Sequence, residues 1–452
     1  MKLVLIGNKL IYDIQNICLL FFPREGFAEE NGKNLTVTLE KDCTKAVFIM
    51  GDSLYEETQI IKNELYDCER IALKRAAYFT LSRATGIESP WGILTGIRPA
   101  LYYQHMKNFY GEKTDEVFIN EFLVKEEKLK LCLDVTENRR NAVLKNRQDS
   151  ASLYISIPFC PSRCKYCSFV SLATAKERKY IPEYLQALKK EIISKSEFIE
   201  NNNYNISTIY IGGGTPTVLD TEQLEFLLKI IYEYFVKKYQ LLEYTIEAGR
   251  PDTISEDKLS VMKKYGVNRI SVNPQTLNDE VLKTIGRNHS TDEFFNAYSI
   301  ARNKNFIINV DLIAGLPGDT LESFKYSLDG ILSLNPENIT LHTLYLKRAA
   351  DFGRDYSDLG AGQRAKEMVD YTQKACKDND YLPYYMYRQK NTVGNLENIG
   401  FAKKGFECLY NVFMMDDIQT VIGAGANAMT KIVTETGIER QCNTKFAYNY
   451  IK

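Results

Sequence analysis

Apolar positions along this 452-residue chain recur with two periods, and the places where one period gives way to the other divide it. Over roughly the first 50 residues, LVLIG, NLTVTLE and KAVFIMG are short, β-rich runs that read as strands, with Asn31-Gly32 as a turn between them. From about Glu57 to Ala84 the apolar residues step by three and four, as in ELYDCERIALKRAAYFTLSRATG. That spacing predicts a helix closed by Gly86 as its C-cap. SPWGILTGIRPALYYQHM follows, with the single tryptophan, Trp91, and a Gly-Ile-Arg-Pro turn. Further helices are expected up to about Asn146. Residues 1–146 are therefore expected to form an α+β domain, in which Arg98, beside Pro99, is a binding group or, more commonly, a solvated helix-start residue.

From Ala151 a strand-then-helix rhythm begins and six units can be counted. The strands are LYISIPF (153–159), TIYIGG (208–213), EYTIEAG (243–249), NRISVNPQ (268–275), FIINVDLIAG (306–315) and NITLHTL (338–344), with amphipathic segments such as TEQLEFLLKIIYEYFVKKY between them. Such alternation predicts an α/β fold, a parallel sheet with helices outside joined by right-handed crossovers. Six units are too few for an eight-fold barrel, so the sheet of this core, residues 151–350, should be open. Residues 351–452 are expected to be an α+β extension, with a helix near Gln363–Asp378 and a Gly-rich stretch, VIGAGANAMT (421–430). Gly423 and Gly425 there permit close approach of a ligand, or simply a strand-to-helix turn.

In such sheets chemistry collects at the C-terminal strand ends, where the loops converge. The first strand runs into SLYISIPFCPSRCKYCSFVS, whose thiols Cys160, Cys164 and Cys167 stand at spacing C-x3-C-x2-C. Three neighbouring thiolates select a soft metal centre, iron-sulfur or zinc. A four-iron cluster held by three cysteines keeps one iron open to a chelating ligand. Structural zinc usually takes four protein ligands, and the loop offers neither a histidine nor a fourth cysteine. The other seven cysteines are scattered singly, which is not a disulfide framework. The second strand ends in Gly212-Gly213-Gly214-Thr215-Pro216, the third in Glu247 followed by Arg250. The fourth reaches Gln275, with Arg287 beyond it; the fifth carries Asp311; the sixth ends near Tyr345, Lys347 and Arg348. Singly, Glu247, Gln275 and Asp311 could be strand-end caps, and His289 and His342 read as structural histidines.

With the glycine stretch about fifty residues after the thiols, the sequence resembles the radical S-adenosylmethionine (SAM) superfamily. The resemblance implies a partial (βα)6 barrel and a 4Fe-4S cluster on Cys160, Cys164 and Cys167, whose open iron binds the amino and carboxylate groups of SAM. Within the superfamily, Ser152 to Gly425 resembles the oxygen-independent coproporphyrinogen III dehydrogenases and their haem-chaperone relatives. The N-terminal domain and YYMYRQKNTVGNLENIGFAKKGFECLYN (384–411) resemble the HemZ-type members. By this resemblance Tyr154 and Tyr166 flank the cluster, and Gly213 and Glu247 serve the reacting SAM. Gly214, Thr215, Gln275, Arg287, Asp311 and Tyr345 match positions that bind a second SAM in the best-known branch, so one or two SAM are implied. Phe169 stands where that branch has a further cysteine, two places after the third thiol.

The implied reaction turns coproporphyrinogen III into protoporphyrinogen IX: a 5′-deoxyadenosyl radical takes hydrogen from a propionate, and loss of carbon dioxide and an electron leaves a vinyl group, twice per substrate. An electron donor such as flavodoxin or ferredoxin is implied. The four propionates would need cations, for which Arg250, Arg348 and Arg388 are the candidates. A haem-binding chaperone of the same fold is the alternative, but its His-Asn-x-x-Tyr-Trp motif is expected near Leu409–Phe413, where this chain has no histidine. Chemistry on another tetrapyrrole is a third reading.

The formal net charge of −1 offers no footprint for nucleic acid, so a tetra-anionic substrate must be held by a few placed cations rather than bulk charge. The longest apolar run, Ile17–Phe22, is too short to span a bilayer and the first residues lack a signal-peptide core. A cytoplasmic protein without a membrane partner is expected.

Overall fold

A computed structural model describes residues 1–23, 25–27, 32–167, 169, 171–345 and 360–452. The expectations for Asn31, Lys347 and Arg348 lie outside the described residues. The chain forms two units, Met1–Val135 with Met386–Glu397, and Thr136–Tyr385 with Asn398–Lys452. This differs from division at about 146 and 351. The C-terminal strands join the sheet of the core instead of standing apart, and a short segment of the chain returns to the first unit.

In the first unit, β1 (Lys2–Ile6), β2 (Lys33–Leu39), β3 (Cys43–Met50) and β4 (Ser53–Ile60) form one sheet in that order, with only β1–β2 parallel. A helix at Ile11–Phe21 lies where the sequence was expected to hold only strands. Ile14, Ile17, Cys18 and Phe21 share a helical face and are buried. β4, paired antiparallel along β3, occupies residues expected to begin the next helix, and it presents no apolar face: Leu54 and Ile60 are exposed. The expected helix runs from Cys68 to Thr85, packs on the sheet, and ends at Gly86 with φ +70°.

In the second unit the six expected strands are present: β5 (Ser150–Ile157), β6 (Asn205–Gly213), β7 (Glu243–Glu247), β8 (Arg269–Ser271), β9 (Ile307–Ala314) and β10 (Asn338–Thr343). They are neighbours in sequence order and all parallel. Crossover helices such as Ile181–Asn201 and Leu321–Leu334 join them. β11 (Leu382–Arg388) and β12 (Glu397–Ala402) add beyond β10, which β12 meets antiparallel. β13 (Thr420–Ala424) adds parallel to β5, followed by antiparallel β14 (Met429–Thr434) and β15 (Gly437–Cys442). The Gly-rich 421–430 stretch is thus a strand-to-strand turn, not a strand-to-helix one.

Leu153, Ile155, Ile157, Ile209, Ile211, Ile246, Ile270, Ile308 and Val310 are fully buried, each burial contributing about 1.5–3 kcal/mol. The apolar faces therefore hold the sheet, and its rims are free to carry polar groups. At the N-terminal rim, Glu243 opens β7, pairs with Arg269 (3.2 Å), and accepts from the backbone amides of Leu409 (2.9 Å) and Tyr410 (3.3 Å). That carboxylate caps the helix Leu409–Asp416 and commits this rim to structure. Among the described residues no helix is long and apolar enough to cross a membrane.

Candidate functional site

Beyond Ile157 the chain leaves β5 as a loop closed at its base. Leu172 donates its amide to the Pro158 carbonyl (2.8 Å), and Cys160 donates to that of Leu172 (3.0 Å). Cys164 and Cys167 form a turn (3.0 Å), and the Lys165 amide ties the loop to the Ile285 carbonyl (2.9 Å). The three thiols are free and close enough for Cys164 to raise both others. Burial, chiefly, pushes Cys167 up to about 11 and Cys160 upward as well, while the Thr215 hydroxyl donates to Cys160 Sγ (3.6 Å). Thiols so placed give up their protons most readily to a metal centre.

Arg250 braces this loop. Its guanidinium holds Asp252 with two bonds (3.0 and 3.1 Å) and reaches the Ser162 carbonyl (3.4 Å), the Ser162 hydroxyl (3.1 Å) and Cys164 Sγ (3.7 Å). Arg287 is a second brace, donating to the carbonyls of Gly249 (3.0 Å) and Asn273 (2.9 Å) and to the Tyr166 hydroxyl (3.3 Å).

Beside the thiols, β6 continues as a cradle. The Gly214 amide donates to the Ile157 carbonyl (2.8 Å) and Thr215 to that of Phe159 (2.7 Å). A Cβ on Gly214 would lie 2.5 Å from the Phe159 oxygen, and one on Gly212 would lie 2.8 Å from the Glu247 carboxylate carbon. Gly213 has φ +110°, open to glycine almost alone. Glu247 accepts from the Tyr210 hydroxyl (2.8 Å); burial lifts its carboxyl to about 7 against that bond. A cavity of about 270 Å³ is lined by Tyr154, Ser156, Pro158, Phe169, Gly213, Glu247 and Asn427. Tyr210 stacks on Tyr410 (4.5 Å between centroids), and Tyr154 lies 6.3 Å from each.

Further along the rim, Asp311 accepts from Asn309 (2.6 Å) and Asn273 (2.7 Å), with His342 Nε2 3.5 Å away. Gln275 has φ +70°, its backbone bridges to Leu312, and its buried amide oxygen has no hydrogen-bond partner. Burial, then Arg287, holds His289 down to about 3, a neutral ring. Tyr345 closes the described part of this strand end.

The structure thus gathers Cys160, Cys164, Cys167, Tyr166, Thr215, Arg250 and Arg287 around one loop. It sets Tyr154, Gly213 and Glu247 around the adjoining cavity and Asp311 and Gln275 further along the rim. Arg388 falls in the first unit instead, donating to the Leu94 and Asn395 carbonyls with its guanidinium 5.3 Å over Trp91. Arg250 is committed to the cysteine loop. Sequence reasoning passed over Tyr210, although Tyr210 and Gly212 share one strand face; Tyr410, Asn273 and Asn427 carried no local signal. Among the described residues no three Cys, His, Asp or Glu side chains are placed to share one metal ion. The cysteines of a cluster need not converge in that way, since each holds a different iron. Three soft donors, a cradle that a single Cβ would fill, and a buried acceptor fit a 4Fe-4S cluster with SAM beside it.

The Radical SAM superfamily model matches residues 154–330. The oxygen-independent coproporphyrinogen-III oxidase-like protein HemZ of Bacillus subtilis (strain 168) is 38% identical over 449 residues, 94% of this chain and 89% of that protein. The heme chaperone HemW of the same organism is 34% identical over 278 residues, 61% of this chain and 70% of that protein. Among solved structures, coproporphyrinogen III oxidase (HemN) from Escherichia coli, a radical SAM enzyme, matches with a TM-score of 0.54 at 26% identity, covering 69% of this chain and 70% of that one.

Proposed function

The chain belongs to the radical SAM superfamily, among the HemZ-type oxygen-independent coproporphyrinogen-III oxidase-like proteins, and from that premise we propose that it converts coproporphyrinogen III to protoporphyrinogen IX. The similarity to HemZ over 94% of the chain carries the reading, since it takes in both units. Cys160, Cys164 and Cys167 hold the cluster, Gly213 and Glu247 serve SAM, and Gln275 and Asp311 extend the same rim. When bound, the cluster and SAM supply one-electron reductive cleavage and hydrogen-atom abstraction.

The chain's own share is positioning and exclusion of water. Arg250 and Arg287 fix the loop from below, and the glycines keep the backbone close to whatever enters. Glu247, ionised above about pH 7, offers an acceptor for hydroxyl or amino donors. Tyr154 walls the cavity with an aromatic face suited to a ring system. A low-potential donor such as flavodoxin or ferredoxin would feed the cluster, and a separate acceptor must take the electron left by each decarboxylation.

A haem-binding chaperone is the second reading, favoured by the similarity to HemW. One assay separates the two. Anaerobically reconstituted protein with dithionite, SAM and coproporphyrinogen III should yield protoporphyrin after oxidation, and Cys164→Ala should yield none. Stoichiometric haem binding with no vinyl product from the loaded protein would establish the chaperone instead.

A further inference from the structure

β7 carries a carboxylate at each end, and a pair of stacked rings ties one to the other. At the N-terminal end Glu243 accepts from the backbone amides of Leu409 and Tyr410, and so fixes the start of the helix Leu409–Asp416. Tyr410, buried, lies on Tyr210 with centroids 4.5 Å apart and planes 22° from parallel. The Tyr210 hydroxyl donates to Glu247 Oε1 (2.8 Å) at the C-terminal end of the same strand. Tyr210 and Gly212 share one face of β6, and a Cβ on Gly212 would lie 2.9 Å from either Glu247 oxygen. The carboxylate is thus boxed between bare backbone and a hydroxyl that the stack keeps in place, and it lines the cavity beside Gly213.

The titratable groups that face Glu247 come from five elements: Tyr154 on β5, Tyr210 on β6, Asp311 on β9, His342 on β10 and Tyr410 on the helix Leu409–Asp416. Burial and Asp311 favour the neutral acid, whereas Tyr210 is the largest influence the other way, ahead of the Gly213 backbone and His342. Asp311 is itself held by Asn309 and Asn273. Burial and the Glu247 charge raise Tyr210 well above the usual tyrosine range, so it stays the donor. A carboxylate that accepts from such a donor is favoured in its charged form.

We propose that Tyr210 is a positioning residue of the SAM site, its hydroxyl holding the Glu247 carboxylate in the charged, cavity-facing state that accepts from SAM. This role rests on Glu247 serving SAM, and Tyr210 acts through that carboxylate. The stack on Tyr410 gives the hydroxyl its direction, so the far end of β7, through Glu243, supports the same geometry.

Tyr210→Phe keeps the stacked ring and removes only the hydroxyl. SAM affinity is measured calorimetrically on cluster-loaded protein from pH 6 to pH 9 in wild type, Tyr210→Phe, Glu247→Gln and the double variant. The rise in affinity with pH is expected about one pH unit later in Tyr210→Phe, with binding about fivefold weaker than wild type at pH 7 and the difference closing towards pH 9. The double variant should bind as Glu247→Gln does at every pH. A Tyr210→Phe profile parallel to wild type, level with it or displaced by a constant factor, would overturn the role of Tyr210 while leaving Glu247 in the SAM site. A Glu247→Gln profile that matches wild type would overturn both, since Glu247 would then not serve SAM. Should Tyr210→Phe take up no cluster, the SAM-free protein carries the test. Its fall in melting temperature with rising pH should level off about one pH unit later than in wild type, and an unchanged profile would overturn the role.

Discussion

Glu247 carries an acid-base consequence that can be measured. Burial, chiefly, raises its folded-state pKa to about 7, above the ordinary glutamate value of 4.5, so between those values the folded protein binds the extra proton. Its contribution to stability, on the order of 3 kcal/mol, is fully present below the unfolded pKa and is lost as pH rises from there through about 7, with roughly 1 kcal/mol of the loss falling between pH 6 and pH 8. The SAM-free protein should therefore melt lower at pH 8 than at pH 6 by this term, and Glu247→Gln should flatten the difference. SAM affinity should run the other way, strengthening as Glu247 ionises, with the variant losing that rise. Calorimetric titration of cluster-loaded protein across pH 6–8 checks the second half; parallel pH profiles in wild type and variant would return Glu247 to a structural role. The sequence placed Glu247 at a strand end. It could not show that Tyr210 would hold it or that Gly212 is small to make room for it.

At the scale of elements, the cysteine loop is held by a side chain that the sequence had assigned to substrate. Arg250 spends its guanidinium on Asp252, Ser162 and Cys164, so removing it should loosen the loop rather than weaken porphyrinogen binding. Arg250→Ala is expected to lose iron to a chelator at least about tenfold faster than wild type, with KM for porphyrinogen little changed in the fraction that stays loaded. A raised KM with normal iron retention would restore the substrate role. The six parallel strands were legible because each β-rich run is separated from the next by an amphipathic helix, a pattern few other folds produce. The helix Ile11–Phe21 was not, since its apolar run Ile17–Phe22 also reads as a strand, and β4 was hidden because neither of its faces is apolar.

Across the whole molecule, what could not be read were the long-range returns. The chain leaves the core at Met386, contributes Arg388 to the first unit, and re-enters at Asn398, so a residue in a Tyr-rich segment resembling a substrate wall serves elsewhere. Likewise Tyr410 and Asn427 reach the cavity region from more than 150 positions beyond Glu247, and no local pattern announces that. Of the three arginines considered for propionates, Arg250 is committed to the loop, Arg388 is enclosed in the first unit and Arg348 lies outside the described residues. In the proposed reaction, groups at the C-terminal ends of the six parallel strands of the eleven-stranded sheet promote removal of hydrogen from a propionate side chain. Coproporphyrinogen III deuterated on the propionate carbon that loses hydrogen, turned over anaerobically with SAM, tests it most directly. Deuterium is expected in the 5′-deoxyadenosine formed, in step with vinyl product. 5′-Deoxyadenosine that stays free of deuterium while vinyl groups form, or SAM cleavage indifferent to the porphyrinogen, would contradict it.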